Sequence, residues 1–426
     1  MTSLDEFLGR SEDGSFYVGH ATVLARLSGK LILIDPVLDR PLFLDSWLFF
    51  PPLALSDRLF EVDAVMISHC HEDHYDPNFL RRLKPGTPIY ITEGCTGLDL
   101  IDDDQSFNTR RLKRDAFSQI FDDVQAYAIP SDHNSFDSSF IVKGNSFSLF
   151  QGNDNFVSRE VMERAASASG PVDHAYIPYS YVWWYPFCLT SMSEAERKVE
   201  ADRLTGRNMD IGRMMAEVLN AKHVIPSAGN LVLCDHANSA VNRGIATPFD
   251  YKVDAVETDS SSSGERVRVL VAGDYIVEYE ERSEIVAQGY SKDEYFERMD
   301  AFLTDFNARN PAAQRTVPIR DGELESVRQR VSAFPPLEDN HLLYLRRDDR
   351  PSDIVEIDVN ARSAWCVDQP STEGDILIFD LQGPPFEQWL SGEISFETVL
   401  NSQRFSVFRR PERFHEPLWH LMRNYL

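Results

Sequence analysis

The sequence has few cysteines and no long apolar segment. Its five cysteines are odd in number and scattered over 426 residues, which fits reduced thiols better than a disulfide framework. Nowhere do roughly 18 apolar residues run together, as a membrane-spanning helix requires. The first residues also lack the basic and apolar stretches of a signal peptide. We therefore expect no membrane association and a cytoplasmic location.

Basic residues are also in short supply. The chain has 42 lysines and arginines against 68 aspartates and glutamates, which gives a formal net charge of −26. Proteins that bind nucleic acids usually neutralise phosphates with a basic face, so we expect no nucleic-acid partner. An anionic small substrate remains compatible with this charge, because bound metal ions supply strong local positive charge.

What the chain does have is a dense group of metal-binding side chains. His69, His71, Asp73 and His74 follow directly after the apolar segment Ala64–Ile67. Side chains two residues apart on a strand end share one face, so His69 and His71 can chelate one ion. After the turn, Asp73 and His74 can face a second ion. Imidazole and carboxylate suit Zn, Fe, Mn or Co, and the lack of a thiolate partner argues against a closed structural zinc site.

The pattern H-x-H-x-D-H resembles the signature of the metallo-β-lactamase superfamily. The opening hairpin, residues 19–24 and 31–36, resembles the start of that fold. The resemblance implies an α+β fold in which a metallo-β-lactamase-like αββα sandwich is followed here by a small C-terminal α+β accessory unit. It also implies three later ligands, whose places are taken by His133, Asp154 and His236.

The ligand set that this resemblance implies divides into two groups. One metal is assigned to His69, His71 and His133, the other to Asp73, His74 and His236, and Asp154 lies between them. Asp73 and Asp154 are the candidate catalytic residues, since either could take a proton. The superfamily's hydrolases usually have aspartate directly after the glycine, where this chain has Asn153. Either the loop is one residue longer here or the bridge is altered.

Isolated histidines have a simpler explanation than metal binding. His133 and His236 could be surface or hydrogen-bonded polar residues, because motif matches carry a false-positive risk. His20, in the opening hairpin, could lie near the site. A core histidine bonded to backbone is the more common case, and we interpret His20 in that way.

The later chain resembles CMP-N-acetylneuraminate hydroxylase, a non-haem-iron monooxygenase family that combines a Rieske domain with a metallo-β-lactamase-like domain. The matching stretches are short and lie at residues 152–155, 170–173, 225–229 and 409–415. A Rieske cluster needs C-x-H and C-x-x-H pairs, and the sequence offers Cys234 with His236 but no second pair. The resemblance therefore implies electrons from a separate ferredoxin or reductase, or from the substrate.

A dinuclear site of this kind admits two chemistries. In hydrolysis the ions lower the pKa of a shared water from roughly 15.7 towards about 7, whereas in oxidation iron activates O2. Ligand type does not choose between them. We favour a monooxygenase-like oxidoreductase that holds two iron ions and acts on a small polar metabolite. A Zn- or Mn-dependent hydrolase of an ester, lactone or phosphodiester, using a metal-bridging hydroxide, is the alternative, and a binding protein with a vestigial site is a third interpretation.

Composition shifts predict three segments. We expect a metal-binding domain at residues 1–255, a mainly helical connection at 256–340 and a C-terminal α+β accessory domain at 341–426, with a serine-rich run at 259–263 near the first boundary. Strands are predicted at residues 16–27, 30–34, 64–68, 89–92, 139–142 and 147–150. A capping-box pattern of Ser193 and Glu196 predicts the start of a helix.

Two aromatic clusters, at residues 43–50 and 176–187, could form the wall of a pocket. Core packing or a subunit interface would explain them equally well. The helix after Ser193 carries four arginines, Arg197, Arg203, Arg207 and Arg213. These side chains could face an anionic ligand, but we favour a solvated helix face.

Overall fold

The structure is a computed structural model of the chain. It describes residues 2–37, 40–54, 56–98, 101, 106–234, 239–258, 263–310, 321–335, 341–347, 354–371, 373–381, 383–411, 414–424 and 426. His236 and residues 259–262 of the serine-rich run lie outside this set. Within the described residues, every helix is too short or too polar to cross a bilayer.

The described residues form runs of strands with helices between some of them. The strands are β1 (Gly14–Gly19), β2 (Thr22–Leu27), β3 (Lys30–Ile34), β4 (Trp47–Phe49), β5 (Ala64–Ile67), β6 (Pro88–Thr92), β7 (Asn108–Leu112), β8 (Phe117–Phe121), β9 (Val124–Pro130), β10 (Ser138–Lys143), β11 (Ser148–Gln151), β12 (His174–Pro178), β13 (His223–Ser227), β14 (Leu231–Leu233), β15 (Tyr275–Glu278), β16 (Ser283–Val286), β17 (His341–Arg347), β18 (Ile354–Asp358), β19 (Ser363–Val367), β20 (Asp375–Leu381) and β21 (Phe405–Arg410). The helices are α1 (Ser3–Gly9), α2 (Pro77–Leu80), α3 (Arg159–Ser169), α4 (Glu194–Val218), α5 (Pro248–Thr258), α6 (Ser263–Arg266), α7 (Lys292–Arg309), α8 (Asp321–Ala333), α9 (Gly383–Ser391), α10 (Phe396–Ser402) and α11 (Glu416–Asn424), with short 3-10 helices at Asp57–Glu61 and Ser239–Arg243.

Two sheets form the centre of the N-terminal part. Sheet 1 has the strand order β16-β15-β1-β2-β3-β5-β6-β7, and sheet 2 has the order β13-β12-β11-β10-β9-β8. Apolar side chains of both sheets meet in one core between them. The outer face of sheet 1 packs on α1 and α2, and the outer face of sheet 2 packs on α3, α4 and α5. The predicted αββα sandwich is confirmed.

Strand β5 shows how sequence alternation builds these layers. All four of its residues are buried. Ala64 and Met66 face the core between the sheets, whereas Val65 and Ile67 face the helices outside sheet 1. Because successive side chains of a strand point to opposite faces, an uninterrupted apolar run is required where both faces are covered.

The predicted strand at residues 16–27 is two strands. The backbone takes positive φ angles at Gly19 (141°) and His20 (50°), so β1 turns back into β2 and the two pair antiparallel. The apolar residues on both sides conceal this turn in the sequence. As a result, His20 lies at the tip of a hairpin rather than inside a strand.

Helix α4 begins where the sequence predicts. Ser193 and Glu196 form the capping box, each side chain bonding to the backbone of the other residue. Gly212 does not interrupt the helix, and a Cβ atom there would lie 2.6 Å from the carbonyl oxygen of Pro178. The glycine therefore permits close contact between α4 and the end of β12.

The first sheet extends past residue 255, the predicted end of the metal-binding domain. Strand β15 pairs with β1, and β16 pairs with β15. Helix α7 packs through Tyr295, Met299 and Leu303 against a cluster of the N-terminal part that includes Phe50. Helix α8, in contrast, packs into the core of the C-terminal unit. We therefore propose the domain division between α7 and α8.

The C-terminal unit is a five-stranded sheet, of order β19-β18-β17-β20-β21, that packs on helices α8 to α11. The segment after β12 inserts into its core through Trp184, Cys188 and Leu189. Trp184 stacks on Trp419 with ring centroids 4.7 Å apart, and Leu189 forms a β-bridge with Val407. The predicted small C-terminal α+β unit is confirmed, and it shares a core with the N-terminal part.

Candidate metal centre

Polar side chains converge at one edge of the sandwich, where several strands end. The H-x-H-x-D-H motif follows β5, Asp154 follows β11, and His20 lies in the β1–β2 turn. A tight turn closes the motif, in which the backbone N–H groups of His74 and Tyr75 both donate to the carbonyl of His71. This turn separates the ligand candidates His69 and His71 from Asp73 and His74.

The first donor group consists of His69, His71 and Asp154. Each contributes one ligand atom, and these three atoms lie within 4.8 Å of one another. The Nε2 atom of His69 is 2.8 Å from the Nδ1 atom of His71. His69 is fully buried, whereas the Asp154 side chain is 37% exposed. The prediction that His69 and His71 share one face is met by this geometry.

The second donor group consists of His20, Asp73 and His74, all buried. The Nε2 atom of His20 lies 3.0 Å from Asp73 Oδ2, and the Nε2 atom of His74 lies 3.6 Å from the same oxygen. The rings of His69 and His74 are 4.1 Å apart between centroids, so the two donor groups are neighbours. Two adjacent groups of three donors are what a dinuclear centre requires.

Asp154 contacts both donor groups. One of its carboxylate oxygens lies 3.8 Å from Nδ1 of His69, and the other lies 3.7 Å from Nε2 of His74. Asn153 adopts a positive φ of 55° and donates from Nδ2 to the carbonyl of Ser138. Asp154, the residue after this left-handed Asn153, thus lies between the histidines of the two groups.

Buried donor atoms without partners show that this donor set fits metal ions. Among the described residues, His74 Nε2, His20 Nδ1 and Asp154 Oδ1 are buried without a hydrogen bond, and leaving a polar group in that state costs about 1–3 kcal/mol. The distances from His74 Nε2 to Asp73 and Asp154, 3.6 and 3.7 Å, are too long for hydrogen bonds. They are close to the separation of about 3.4 Å between ligands that bind one cation tetrahedrally at 2.0–2.2 Å.

The pKa values of the site reflect an excess of negative charge. Burial opposes ionisation of Asp73, but the charge of His74 and the hydrogen bond from His20 hold its pKa below the ordinary value. Burial also opposes protonation of His74, yet Asp154, Asp73 and Asp35 raise its pKa to about 10. The pKa of buried His69 is lowered, first by burial and then by the charge of His74. The carboxylates thus stabilise positive charge at this position, which a metal cation would supply.

Asp35 orients one of these histidines and was not identified from the sequence as a site residue. Its carboxylate accepts from the Nδ1 atom of His74 at 2.9 Å and from the backbone N–H and hydroxyl of Ser68 at 2.7 and 2.6 Å. Asp35 is fully buried at the end of β3. A carboxylate on the far nitrogen fixes the ring and leaves Nε2 for a metal. The sequence signal that could have identified Asp35 is its position directly after an apolar strand.

His133 does not join either donor group. Its imidazole is 66% exposed, and its Nε2 atom lies 3.4 Å from the carboxylate of Asp132. The reason is a local turn, in which the side chain of Asn134 accepts from the backbone N–H groups of Phe136 and Asp137. This turn directs Phe136 and Asp137 inward and leaves His133 outside, so its assignment to the first metal is corrected.

Asp137, rather than His133, approaches the first donor group. One of its oxygens lies 3.4 Å from the Nδ1 atom of His69. Burial, and then the nearby charge of Asp154, raise the pKa of Asp137 well above its ordinary value. His20 also needs correction, because its Nε2 atom bonds to Asp73 rather than to backbone. Neither Asp137 nor His20 was predicted as a ligand, because loop turns, and not the spacing of residues in the sequence, bring these side chains towards the site.

A cavity of about 900 Å³ opens onto the donor groups through His20, His71, Asp73 and Asp154. Its walls come from both aromatic clusters and from the C-terminal unit. The lining aromatic residues of these parts are Phe43, Trp47, Tyr181, Trp183, Trp184, Phe396, Phe414 and Trp419. The pocket interpretation of the two clusters is therefore supported for the side chains that line this cavity.

The arginines of α4 have separate roles. Arg203 pairs with Glu200, Arg213 pairs with Asp210 and Asp254, and Arg197 donates to the carbonyl of Leu189. Arg207 lines the cavity beside Asn208. All four arginines thus bond within the protein, Arg207 to the Oδ1 atom of Asn208, and only the position of Arg207 on the cavity wall would let it meet a ligand there.

Comparison with known proteins found a matching family and similar solved structures. Residues 30–150 match the family described as beta-lactamase superfamily domain, a range that includes the H-x-H-x-D-H motif. Among solved structures, a metallo hydrolase from the archaeon Ignicoccus hospitalis is 18% identical, with a TM-score of 0.43, and the similarity covers 63% of this chain and 98% of that one. The match of residues 30–150 confirms the resemblance to this superfamily that the motif predicts.

Two curated relatives match shorter parts of the chain. A protein of Mycolicibacterium smegmatis named as a Rieske 2Fe-2S iron-sulfur protein is 29% identical over 233 residues, which are 50% of this chain and 42% of that protein. Cytidine monophosphate-N-acetylneuraminic acid hydroxylase of Danio rerio is 38% identical over 80 residues, 18% of this chain and 14% of that enzyme. The matches thus span less than half the length of either relative.

Proposed function

We propose that the protein, whose residues 30–150 match the beta-lactamase superfamily domain, is a dinuclear-metal enzyme that acts as an iron-dependent oxygenase on a small polar molecule. One observation carries the proposal: two neighbouring groups of His and Asp donors meet around Asp154 at the surface of a cavity. Such convergence of buried donors with open space beside it is typical of a catalytic rather than a structural centre.

The donor groups define which residues would hold the ions. His69, His71 and Asp154 would hold the first, and His20, Asp73 and His74 the second, with Asp154 between them. His236 remains a predicted ligand of the second ion. When bound, the ions would supply either activation of O2 or a water of lowered pKa.

The chain's own carboxylates are placed for proton transfer. Burial raises the pKa of Asp154, but the charges of His69 and His74 hold it below the ordinary value, so this carboxylate is ionised at neutral pH. It also faces the cavity, with 37% of its side chain exposed. Asp154 is therefore the candidate proton acceptor nearest to a substrate, and Asp73 is the second.

The oxygenase proposal rests on the two curated relatives, one named as a hydroxylase and the other as a Rieske iron-sulfur protein. The sequence holds one C-x-H pair, Cys234 and His236, and no second pair. We therefore propose that electrons come from a separate ferredoxin or reductase. The aromatic walls of the cavity, interrupted by polar groups such as Arg207 and Asn208, suit a small polar substrate in the cytoplasm.

A Zn- or Mn-dependent hydrolase is the second candidate. The donor groups contain only imidazole and carboxylate, which zinc and manganese accept as readily as iron. Under this alternative the same residues would serve an ester, lactone or phosphodiester substrate, with Asp73 or Asp154 as proton acceptor.

Metal analysis of protein purified without added metal separates the two candidates. We expect two iron ions per chain, a visible absorption band, and O2 consumption that depends on a ferredoxin and its reductase. Stoichiometric zinc together with oxygen-independent turnover of esters or phosphodiesters would overturn the oxygenase proposal. His71→Ala is the control, because it should lose metal while its far-UV circular dichroism remains that of the wild type.

A further inference from the structure

A second cluster of histidines lies at the opposite edge of the sandwich from the donor groups. His174 begins β12, His223 begins β13, and Glu278 ends β15. Strands β11 and β12 are parallel, and His174 pairs with Leu149 near the start of β11. Asp154 follows the other end of that strand. The His174 cluster, consisting of His174, His223 and Glu278, is therefore separated from the candidate metal centre by the length of the strands.

The three side chains of this cluster point to one place. Glu278 Oε1 lies 2.8 Å from the Nε2 atom of His174 and 3.5 Å from the Nε2 atom of His223. One ligand atom from each residue lies within 4.8 Å of the others. The side chains are 0%, 6% and 9% exposed. Ligands of one tetrahedral zinc ion are about 3.4 Å apart, so small side-chain movements would complete a site.

Neighbouring groups hold these side chains in a ligand-like orientation. The Nδ1 atom of His174 lies 2.7 Å from the hydroxyl of Ser15, which is itself 2.9 Å from the hydroxyl of Tyr176. The Nε2 atom of His174, which is hydrogen-bonded to Glu278 Oε1 at 2.8 Å, is then the atom at which a metal would replace the proton. Lys222 bonds to Glu278 through Oε2, which leaves Oε1 facing the histidines.

Ser283 supplies a polar group on the remaining side of the cluster. Its hydroxyl lies 2.7 Å from the Nε2 atom of His223 and 2.9 Å from Glu278 Oε1. The Nδ1 atom of His223 is buried and makes no hydrogen bond within the described residues. A hydroxyl or a water at this position would be the fourth ligand of a site with two imidazoles and one carboxylate.

We propose that His174, His223 and Glu278 form a further site for a divalent transition-metal ion, with zinc as the best-suited ion. Two imidazoles and a carboxylate are ligands that zinc prefers. Because His174 and His223 belong to sheet 2 and Glu278 belongs to sheet 1, the ion links the two sheets. Its role is structural, and the proposal does not depend on the proposed function.

Zinc stoichiometry in a variant without the catalytic ligands tests this site. The triple variant His69→Ala, His71→Ala, His74→Ala should retain one zinc ion per chain after dialysis, measured by inductively coupled plasma mass spectrometry. Adding Glu278→Gln should remove that ion. Absence of zinc from the folded triple variant, or its retention after Glu278→Gln, would overturn the proposal.

Two further proteins keep the test decisive. His133→Ala, introduced into the triple variant, is the matched control, because its imidazole is 66% exposed and lies outside the His174 cluster, and it should retain the ion. If circular dichroism shows that the triple variant is unfolded, the unaltered chain is compared with the single variant Glu278→Gln. The unaltered chain should then bind one more ion than the variant, and equal stoichiometry would contradict the proposal.

Discussion

At the residue scale, the candidate centre depends on contacts between residues far apart in the chain. Asp73 receives a hydrogen bond from His20, and His74 donates to Asp35. The negative charges of the surrounding aspartates explain why the pKa of His74 is raised to about 10 in spite of burial. Carboxylates that surround an imidazole in this way prepare the site for a cation rather than for a neutral ligand.

The role of Asp35 leads to a prediction about metal affinity. Asp35→Asn removes the negative charge behind His74 but keeps the size of the side chain. We expect metal affinity to fall on the order of 10–100-fold, as for other carboxylates that support ligand histidines. Competition with a chromophoric chelator measures this change, provided that circular dichroism shows the variant to be folded.

His133→Ala is the matched control for this experiment. Its imidazole is 66% exposed and lies outside both donor groups, so the variant should keep the affinity of the unaltered protein. Loss of metal on His133→Ala would contradict the exclusion of His133 from the ligands, and unchanged affinity on Asp35→Asn would contradict the supporting role of Asp35.

At the scale of elements, the segment between β12 and α4 connects the two parts of the molecule. Trp184 and Leu189 lie in the core of the C-terminal unit, and the backbone N–H of Thr190 donates to the carbonyl of Val407. Trp183, the neighbouring residue, is 45% exposed and lines the cavity. Both tryptophans therefore line the cavity, but only Trp184 is also part of the core of the C-terminal unit.

This difference predicts contrasting effects on stability. Trp184→Ala deletes a ring that is 3% exposed and stacks on Trp419, and we expect it to lower the free energy of unfolding by about 3–5 kcal/mol. Trp183→Ala should change it by less than about 0.5 kcal/mol. Urea unfolding followed by circular dichroism measures both, and equal effects would contradict the packing described.

At the scale of the whole molecule, the C-terminal unit forms part of the cavity wall. Phe396, Phe414 and Trp419 line the cavity together with the ligand candidates His71 and Asp154. Trp47 of the N-terminal part donates from its indole to the carbonyl of Asn401. The site is thus completed by a unit that supplies no member of either donor group.

A shared core predicts coupled unfolding of the two parts. We expect one thermal transition, at which circular dichroism and tryptophan fluorescence change together, because unfolding of the C-terminal unit would expose Trp184 and Leu189. Two transitions separated by several degrees would show that the parts unfold independently. In that case the packing of the segment after β12 would contribute little to stability.

Sequence alone was sufficient where the determining pattern is local. The buried run Ala64–Ile67 predicts a strand, the capping box of Ser193 and Glu196 predicts the start of α4, and the spacing of His69 and His71 predicts a shared face. Periodicity and capping depend on residues within a few positions of one another, and so they can be read directly.

Tertiary structure decided which distant residues complete the centre. His20 joins Asp73 and Asp137 approaches His69, whereas His133 stays outside. These outcomes depend on left-handed backbone at the hairpin tip and on a side-chain-capped loop, whose directions the spacing of residues does not encode. The same holds for the His174 cluster, which forms only because two sheets bring strands from distant parts of the chain to one edge.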